Sequence, residues 1–384
     1  MRICVPKQTD NGETRVALTP ESVRKLTQRS VEVVVQHGAG QRAYFSDAEY
    51  EDAGALLVDD AAGLWREADV VVVVAPPEPD EAAQLRQGAC LLGMLDPARN
   101  APLLQALLAR RATAFAFEAM PRITRAQPMD ALSSMSTVAG YRAALLAAQC
   151  CPRFFPMLMT AAGTITAARV LVIGAGVAGL QALATCRRLG ATVEGYDIRD
   201  AAKEQIRSVG ARVVELPLDV QEAETAGGYA KALTEEQLAK QRELLAKHVA
   251  QADCLITTAL APGKPAPKIV TEQMVRAMTA GAVVVDLAAP AGGNCELTEP
   301  GDRRIVEGVT ILGPTNLPAE LPRDASTLYS RNALAFLELL VAEDGSLRVD
   351  MEDEVVRGAA VTHDGQATHE LARTALGVEE GAQA

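Results

Sequence analysis

At 384 residues the chain is long enough for two domains of roughly 100–200 residues each, and a hydrophobic content of 49% gives both a sizeable core and excludes a disordered chain. The net charge of −12 removes any general attraction to nucleic acid or to anionic lipid. The 7 cysteines form no Cys-x-x-Cys pair and have no histidine at ligand spacing, which argues against a zinc site and for a reduced, cytosolic location.

Met1 leads directly into a strand-like Ile3-Cys4-Val5, so no secretory signal is expected. A helix follows over 20–29, with Thr19 as N-cap and Pro20 at the first helical position. Strands are expected at 31–36, 70–74, 90–95 and 112–118, with a helix over 101–110. Two apolar runs, 154–168 and 170–186, fall short of the ~20 residues a membrane span needs and are read as buried elements. From Arg169 a second alternation of strand and helix begins, with strands at 170–173, 192–197, 212–215, 254–259, 283–287 and 310–312. A long amphipathic helix over 325–341 carries an apolar stripe of Leu328, Leu334 and Leu337 that requires a core, and Asp364-Gly365 signals a hairpin. The fold class is therefore α/β: two Rossmann-like, doubly wound parallel-sheet domains with a cleft between them. The expected division is 1–137 with 318–384, the returning C-terminal segment completing the first domain, and 138–317.

The segment Gly174-Ala175-Gly176-Val177-Ala178-Gly179 is a G-x-G-x-x-G. That pattern alone is weak. Here it follows a strand, opens a helix, and is followed by an acid, Asp197, at the end of the next strand, the context of a dinucleotide site. Gly174 allows the tight turn, Gly176 lets the backbone approach a pyrophosphate, and Gly179 permits close helix–strand packing. The helix N-terminus offers free N–H groups to phosphate. Asp197 suits ribose hydroxyls and repels a 2′-phosphate, favouring NAD over NADP, although Arg199 nearby is of the type that accommodates NADP. An ordinary glycine turn in a core is the alternative. Upstream, Arg122, Gln127 and Asp130 place a cation, an amide and a carboxylate in one loop. Gln and Asp supply the acceptor and donor partners a nicotinamide carboxamide needs. A solvated loop with an Arg–Asp pair is the equally weighted alternative.

These segments together resemble the NAD(H)-binding first domain of the proton-translocating transhydrogenases, and the likeness runs along nearly the whole chain. It includes Gly12 to Pro20, Ser133-Ser134 with Gly140-Tyr-Arg142, the glycine turn, Thr225 to Lys231, Thr257 to Pro267, and Asp286 with Gly292-Gly-Asn-Cys295. Alanine dehydrogenases are similar to the same family. The resemblance implies that Arg122, Gln127, Asp130 and Ser133 act at the nicotinamide end, with Ile123, Thr124, Pro128 and Met129 in the same nucleotide-binding loop. It implies that Ala175, Gly176 and Val177 face the pyrophosphate and that Asp197, Ile198 and Arg199 surround the adenosine. Gly228 and Tyr229 would lie on a mobile loop, and Leu260 would line the pocket. Pro128 departs from the family's usual Ser, and Met135 and Thr137 replace more polar residues.

Chemistry separates the two relatives. Oxidising an amine or alcohol moves a proton as well as a hydride and needs a base. Alanine dehydrogenases carry a Lys and a His where this chain has Val and Ala near 70–75 and Asp96-Pro97; its histidines are His37, His248, His363 and His369. Hydride transfer between two nicotinamides needs only proximity and orientation. The expected function is that of a Re/Si-specific transhydrogenase subunit carrying NAD(H), with NADP(H) as co-substrate on a partner subunit and proton translocation in a separate membrane subunit. A homodimer, cytoplasmic and peripheral to the inner membrane through its partners, is implied. An alanine dehydrogenase-like enzyme and a catalytically silent NAD-binding module are the alternatives. No metal is expected.

Overall fold

The computed structural model describes residues 1–8, 12–217, 233–260 and 265–378. In chain order its strands begin with β1 (Arg2–Val5), β2 (Glu32–Gln36), β3 (Leu56–Val58), β4 (Val70–Val72), β5 (Cys90–Gly93) and β6 (Thr113–Ala116). They continue with β7 (Leu158–Thr160), β8 (Gly163–Ile165), β9 (Arg169–Ile173), β10 (Thr192–Tyr196), β11 (Arg212–Val213) and β12 (Cys254–Thr257). The last are β13 (Val283–Asp286), β14 (Arg303–Val306), β15 (Val309–Leu312), β16 (Ala360–His363) and β17 (Gln366–Ala367). The chain forms two compact units, Met1–Met135 with Ala319–Ala384, and Ser136–Pro318.

The first unit is built on a sheet of order β17-β16-β6-β5-β4-β1-β2-β3. The chain runs outward from β1 to β3, returns to β4 beside β1, and continues to β6, every one of these pairings being parallel. Such strands are covered on both faces, which is why Val70–Val72 reads as an unbroken apolar run and is wholly buried. The C-terminal segment adds β16 antiparallel to β6, with Ala360 opposite Phe115. The β16–β17 hairpin turns on Asp364 (φ 47°) and Gly365 (φ 82°), both left-handed as the Asp-Gly pair requires. The helix Pro322–Leu340 packs its buried face on this sheet. There the Phe336 ring lies 5.0 Å from Phe115 and the Tyr329 ring 5.3 Å from Phe117.

The second unit has a sheet of order β11-β10-β9-β12-β13-β15-β14. The chain starts in the middle at β9, moves one way to β10 and β11, then crosses to β12 and moves the other way. The order therefore reverses between β9 and β12, whose carboxyl ends lie side by side with Thr257 opposite Ile173. In open α/β sheets that reversal opens a crevice for ligands.

Three features depart from the expectation. The sheets are mixed rather than purely parallel, because β14 and β16 run antiparallel at or near an edge. β14 is hidden in the sequence by Arg303-Arg304, whose charge is tolerated because the strand is an edge. The run 154–168, expected to be buried, is instead a separate two-stranded hairpin, β7–β8, with Phe154 54% and Met159 76% exposed. Apolar composition made the run look like core. Two strands form no second layer of their own, so their faces stay open within this chain. The run 170–186 is divided between the buried strand β9 and the helix Val177–Arg188. Among the described residues, no helix is long and apolar enough to cross a membrane and no group of three His, Cys, Asp or Glu side chains could hold a metal.

Candidate functional site

The glycine turn joins β9 to the helix Val177–Arg188 at the reversal point of the second sheet. Gly174 has φ +93° and donates its N–H to the Tyr196 carbonyl at 2.8 Å, so a left-handed residue is needed there. A Cβ on Gly179 would land on the Gly174 carbonyl oxygen, well inside van der Waals contact. Gly176 differs from both. Its φ of −74° is open to any residue, and a Cβ there would meet nothing within 4 Å among the described residues. Neither conformation nor packing against the described residues requires glycine at 176. Ala175 is buried, whereas Val177, at the first helical position, is 43% exposed.

Asp197 follows β10 and is buried. Its Oδ2 accepts the Ala175 N–H at 2.8 Å and the Arg199 guanidinium (Nη2) at 2.8 Å; its Oδ1 accepts the Arg199 backbone N–H at 2.9 Å and Nε at 2.9 Å. The carboxylate thus ties the glycine turn to the end of the neighbouring strand, and Arg199 is its counter-ion, not a cation turned toward bulk solvent. Ile198 lies between them and packs partly against the apolar core. Behind the strand, burial raises the Tyr196 phenol to about 12, the Asp197 charge adding to the effect, while Gln241 Nε2 donates to its oxygen at 2.9 Å.

The other border of the crevice is the chain after β12. The Thr258 N–H donates to the Ile173 carbonyl at 2.8 Å and its hydroxyl to the Gly174 carbonyl at 2.9 Å. Leu260 follows, 45% exposed. Gly228 and Tyr229 lie outside the described residues.

In the first unit, Arg122 and Ile123 lead into a tight helical turn, Thr124–Met129, with Pro128 inside it. Thr124, Gln127 and Pro128 are exposed and Met129 is buried as the anchor of the turn. The Pro128 carbonyl accepts from Asn332 Nδ2 at 2.7 Å, which fastens the loop to the helix Pro322–Leu340. Arg125, not singled out in the sequence, pairs with Asp353. Asp130 precedes the helix Ala131–Cys150 and receives the Ser133 N–H at 2.8 Å and its hydroxyl at 2.6 Å. This is an N-cap bond, and it holds the Asp130 carboxylate in one orientation. Met135 is buried in the same helix.

The structure thus gathers Arg122 through Ser133 in one loop and helix start, and Gly174 through Gly179, Asp197 through Arg199 and Leu260 around one reversal point. Sequence reasoning gave no role to Thr258 or Asn332. Their hydrogen bonds span 84 and 204 residues, and no local pattern signals such partners. The four histidines are engaged elsewhere: His37 with Asp47, His248 with Glu194, His363 with Thr113, and His369 as a cap accepting the Leu371 N–H. A further acid, the half-buried Glu118, accepts the backbone N–H groups of Leu95 and Asp96, and desolvation holds its carboxyl above the ordinary range.

Comparison with known proteins agrees with this architecture. Residues 4–139 match the family profile described as alanine dehydrogenase/PNT, N-terminal domain, and residues 143–370 its C-terminal domain. An NAD(P) transhydrogenase alpha-subunit chain of Rhodospirillum rubrum is 48% identical over 376 residues, covering 96% of this chain and 98% of that protein. The alanine dehydrogenase of Halomonas elongata is 32% identical over 386 residues, covering 99% of this chain and 98% of that protein. The solved transhydrogenase from Sinorhizobium meliloti superposes with a TM-score of 0.84 at 42% identity, covering 96% of this chain and 99% of that one. The chain belongs to the alanine dehydrogenase/PNT family, on the side of its NAD(P) transhydrogenase alpha subunits.

Proposed function

We propose that the chain binds NAD(H) at the reversal point of its second sheet and exchanges hydride with NADP(H) held by a partner subunit, a membrane subunit coupling that exchange to proton movement. One observation carries the nucleotide reading: at Gly176 neither backbone conformation nor packing against the described residues asks for glycine, and a bound group supplies the reason. A pyrophosphate against the start of the helix Val177–Arg188 answers that requirement. Ribose hydroxyls reach Asp197 by displacing the Arg199 side-chain donors, and the negative charge disfavours a 2′-phosphate. Bound NADH supplies the hydride from its nicotinamide ring. Gln127, Asp130 and Arg122 orient that ring, Asp130 being pre-set by Ser133. The engagement of every histidine away from these residues fits a reaction that needs orientation and no protein base.

In this reading the chain acts as a homodimer, peripheral to a membrane through its partners, and is idle alone because it presents one nicotinamide. The test mixes it with a purified NADP(H)-binding domain and follows hydride transfer from NADPH to an NAD analogue, with alanine plus NAD as a second arm. Transfer only in the mixture supports the proposal. NADH production from alanine by the isolated chain at a typical enzymatic rate, on the order of 10 per second, refutes it.

A further inference from the structure

The motif Gly292-Gly293-Asn294-Cys295 takes no part in the site as described so far, yet the Asn294 side chain is fully buried and spends its whole amide on two backbone positions. Its Oδ1 accepts the Ala259 N–H at 2.9 Å; its Nδ2 donates to the Ala259 carbonyl at 2.8 Å and to the Pro267 carbonyl at 2.9 Å. Pairing of β12 with its neighbours ends at Thr257, so beyond it the backbone groups of Ala259 have lost their ladder partners. Asn294 replaces those partners with a side-chain amide, which has the donor and acceptor geometry of a peptide group. No aliphatic or carboxylate side chain of that size offers one acceptor and two donors in a plane.

Asn294 is itself fixed. Its carbonyl accepts the N–H groups of Ile269 at 2.9 Å and Val270 at 3.0 Å. The next residue, Cys295, donates its N–H to Asp286 Oδ2 at 3.0 Å, and the same oxygen takes the Thr298 hydroxyl at 2.8 Å. Gly293 has φ +80°, and a Cβ there would approach Asp286 Oδ2 to 2.8 Å, so the turn into Asn294 admits no side chain. A line of bonds therefore runs from buried Asp286 at the end of β13, through Asn294, to Ala259. Ala259 stands between Thr258, bonded to the glycine turn, and the exposed Leu260.

We propose that Asn294 is a positioning residue for nucleotide binding: by clamping Ala259 it sets the place of Leu260 as the β12 border of the crevice, beside the glycine turn. The inference rests on the proposed NAD(H) site. It assigns Asn294 to affinity, whereas the loop around Gln127 governs ring orientation.

The test uses the full chain carrying Asn294→Asp, Asn294→Ser, Leu260→Ala, and each Asn294 substitution combined with Leu260→Ala. The readouts are the nucleotide-free melting temperature, the NADH dissociation constant by calorimetry, and KM and kcat in hydride transfer with the NADP(H)-binding domain. Asn294→Asp keeps the acceptor for Ala259 but loses both donations. We expect it to weaken NADH binding at least tenfold and raise KM in step, with kcat at saturating nucleotide within about twofold. Because Asn294 acts through Leu260, the double variants bind NADH no more weakly than the weaker of their single variants; a merely structural effect adds to the Leu260→Ala loss instead. NADH binding within threefold of the parent in both Asn294 variants, or fully additive losses, overturns the proposal. If Asn294→Asp does not fold, the same cycle with Asn294→Ser decides. Failure of the underlying NAD(H) reading looks different: the unsubstituted chain itself does not bind NADH.

Discussion

The three glycines of the turn are chemically identical but are held for three different reasons, and alanine substitution separates them. At Gly176 the φ of −74° and the absence, among the described residues, of a packing atom within 4 Å of a Cβ mean that alanine fits the folded chain. Alanine is a few tenths to about 1 kcal/mol worse than glycine as an N-cap. It gains about 0.4–1 kcal/mol by restricting the unfolded chain. These terms cancel, so nucleotide-free stability stays within about 1 kcal/mol of the parent. Nucleotide binding does not stay. A methyl group between the backbone and a pyrophosphate displaces at least one charge-assisted N–H bond, worth about 1.5–3 kcal/mol. That is roughly a ten- to hundredfold loss of NADH affinity. Gly179→Ala behaves in the opposite sense: its Cβ collides with the Gly174 carbonyl, and overpacking of this kind costs about 1–3 kcal/mol before any nucleotide is added. Gly174→Ala must hold φ +93° with its Cβ 2.8 Å from the Thr258 hydroxyl oxygen, and loses stability as well. Thermal unfolding without nucleotide and calorimetric titration with NADH give both numbers for each variant. If Gly176→Ala binds NADH within threefold of the parent, the reason offered for glycine at that position is wrong, and with it the location of the pyrophosphate.

Asp197→Asn leaves the Arg199 guanidinium without its counter-ion in a mostly buried setting and turns an N–H toward the donors of Ala175 or Arg199. Loss of about 3 kcal/mol of stability is expected in denaturant unfolding, together with a narrower preference for NADH over NADPH in calorimetry. Asp130→Asn keeps the helix cap, because Asn caps as well as Asp, so melting should be unchanged while hydride transfer with the NADP(H)-binding domain slows and NADH affinity stays within about tenfold. Asp130→Ala loses the cap too and should cost about 1 kcal/mol. The Glu118 carboxyl is raised above its unfolded value near 4.5 by burial, so the folded state holds the proton more tightly than the unfolded state. Its contribution to stability is complete below pH 4.5 and fades as pH rises through the raised value. Glu118→Gln should therefore flatten the fall of stability across that interval, and a parallel pH profile in the variant would show that another group is responsible.

Much of this site is legible in the sequence because its signals are local. The strand, the Gly174 turn, the helix and Asp197 fall within some 30 residues, the span of one strand–helix–strand unit, and each is fixed by backbone geometry that composition reveals. The same is true of the Asp364-Gly365 hairpin and of the wholly buried strand at Val70–Val72. Asp130 stands out by its charge, whereas its capping bond to Ser133 emerges only once the helix is seen to begin at Ala131. Other features depend on what folding brings together. The runs at 154–168 and 170–186 are similarly apolar in sequence, and only the layers that the chain supplies leave the hairpin of the first exposed and make the strand β9 of the second core. The charged strand β14 forms because an edge needs cover on one side only. The placement of the crevice follows from the reversal of strand order between β9 and β12, a property of the whole sheet. Asn294 reaches Ala259 across 35 residues and Pro267 across 27. Its sequence neighbours mark a turn and say nothing of its partners, because a hydrogen bond depends on distance in space, and only the packed sheet sets that distance.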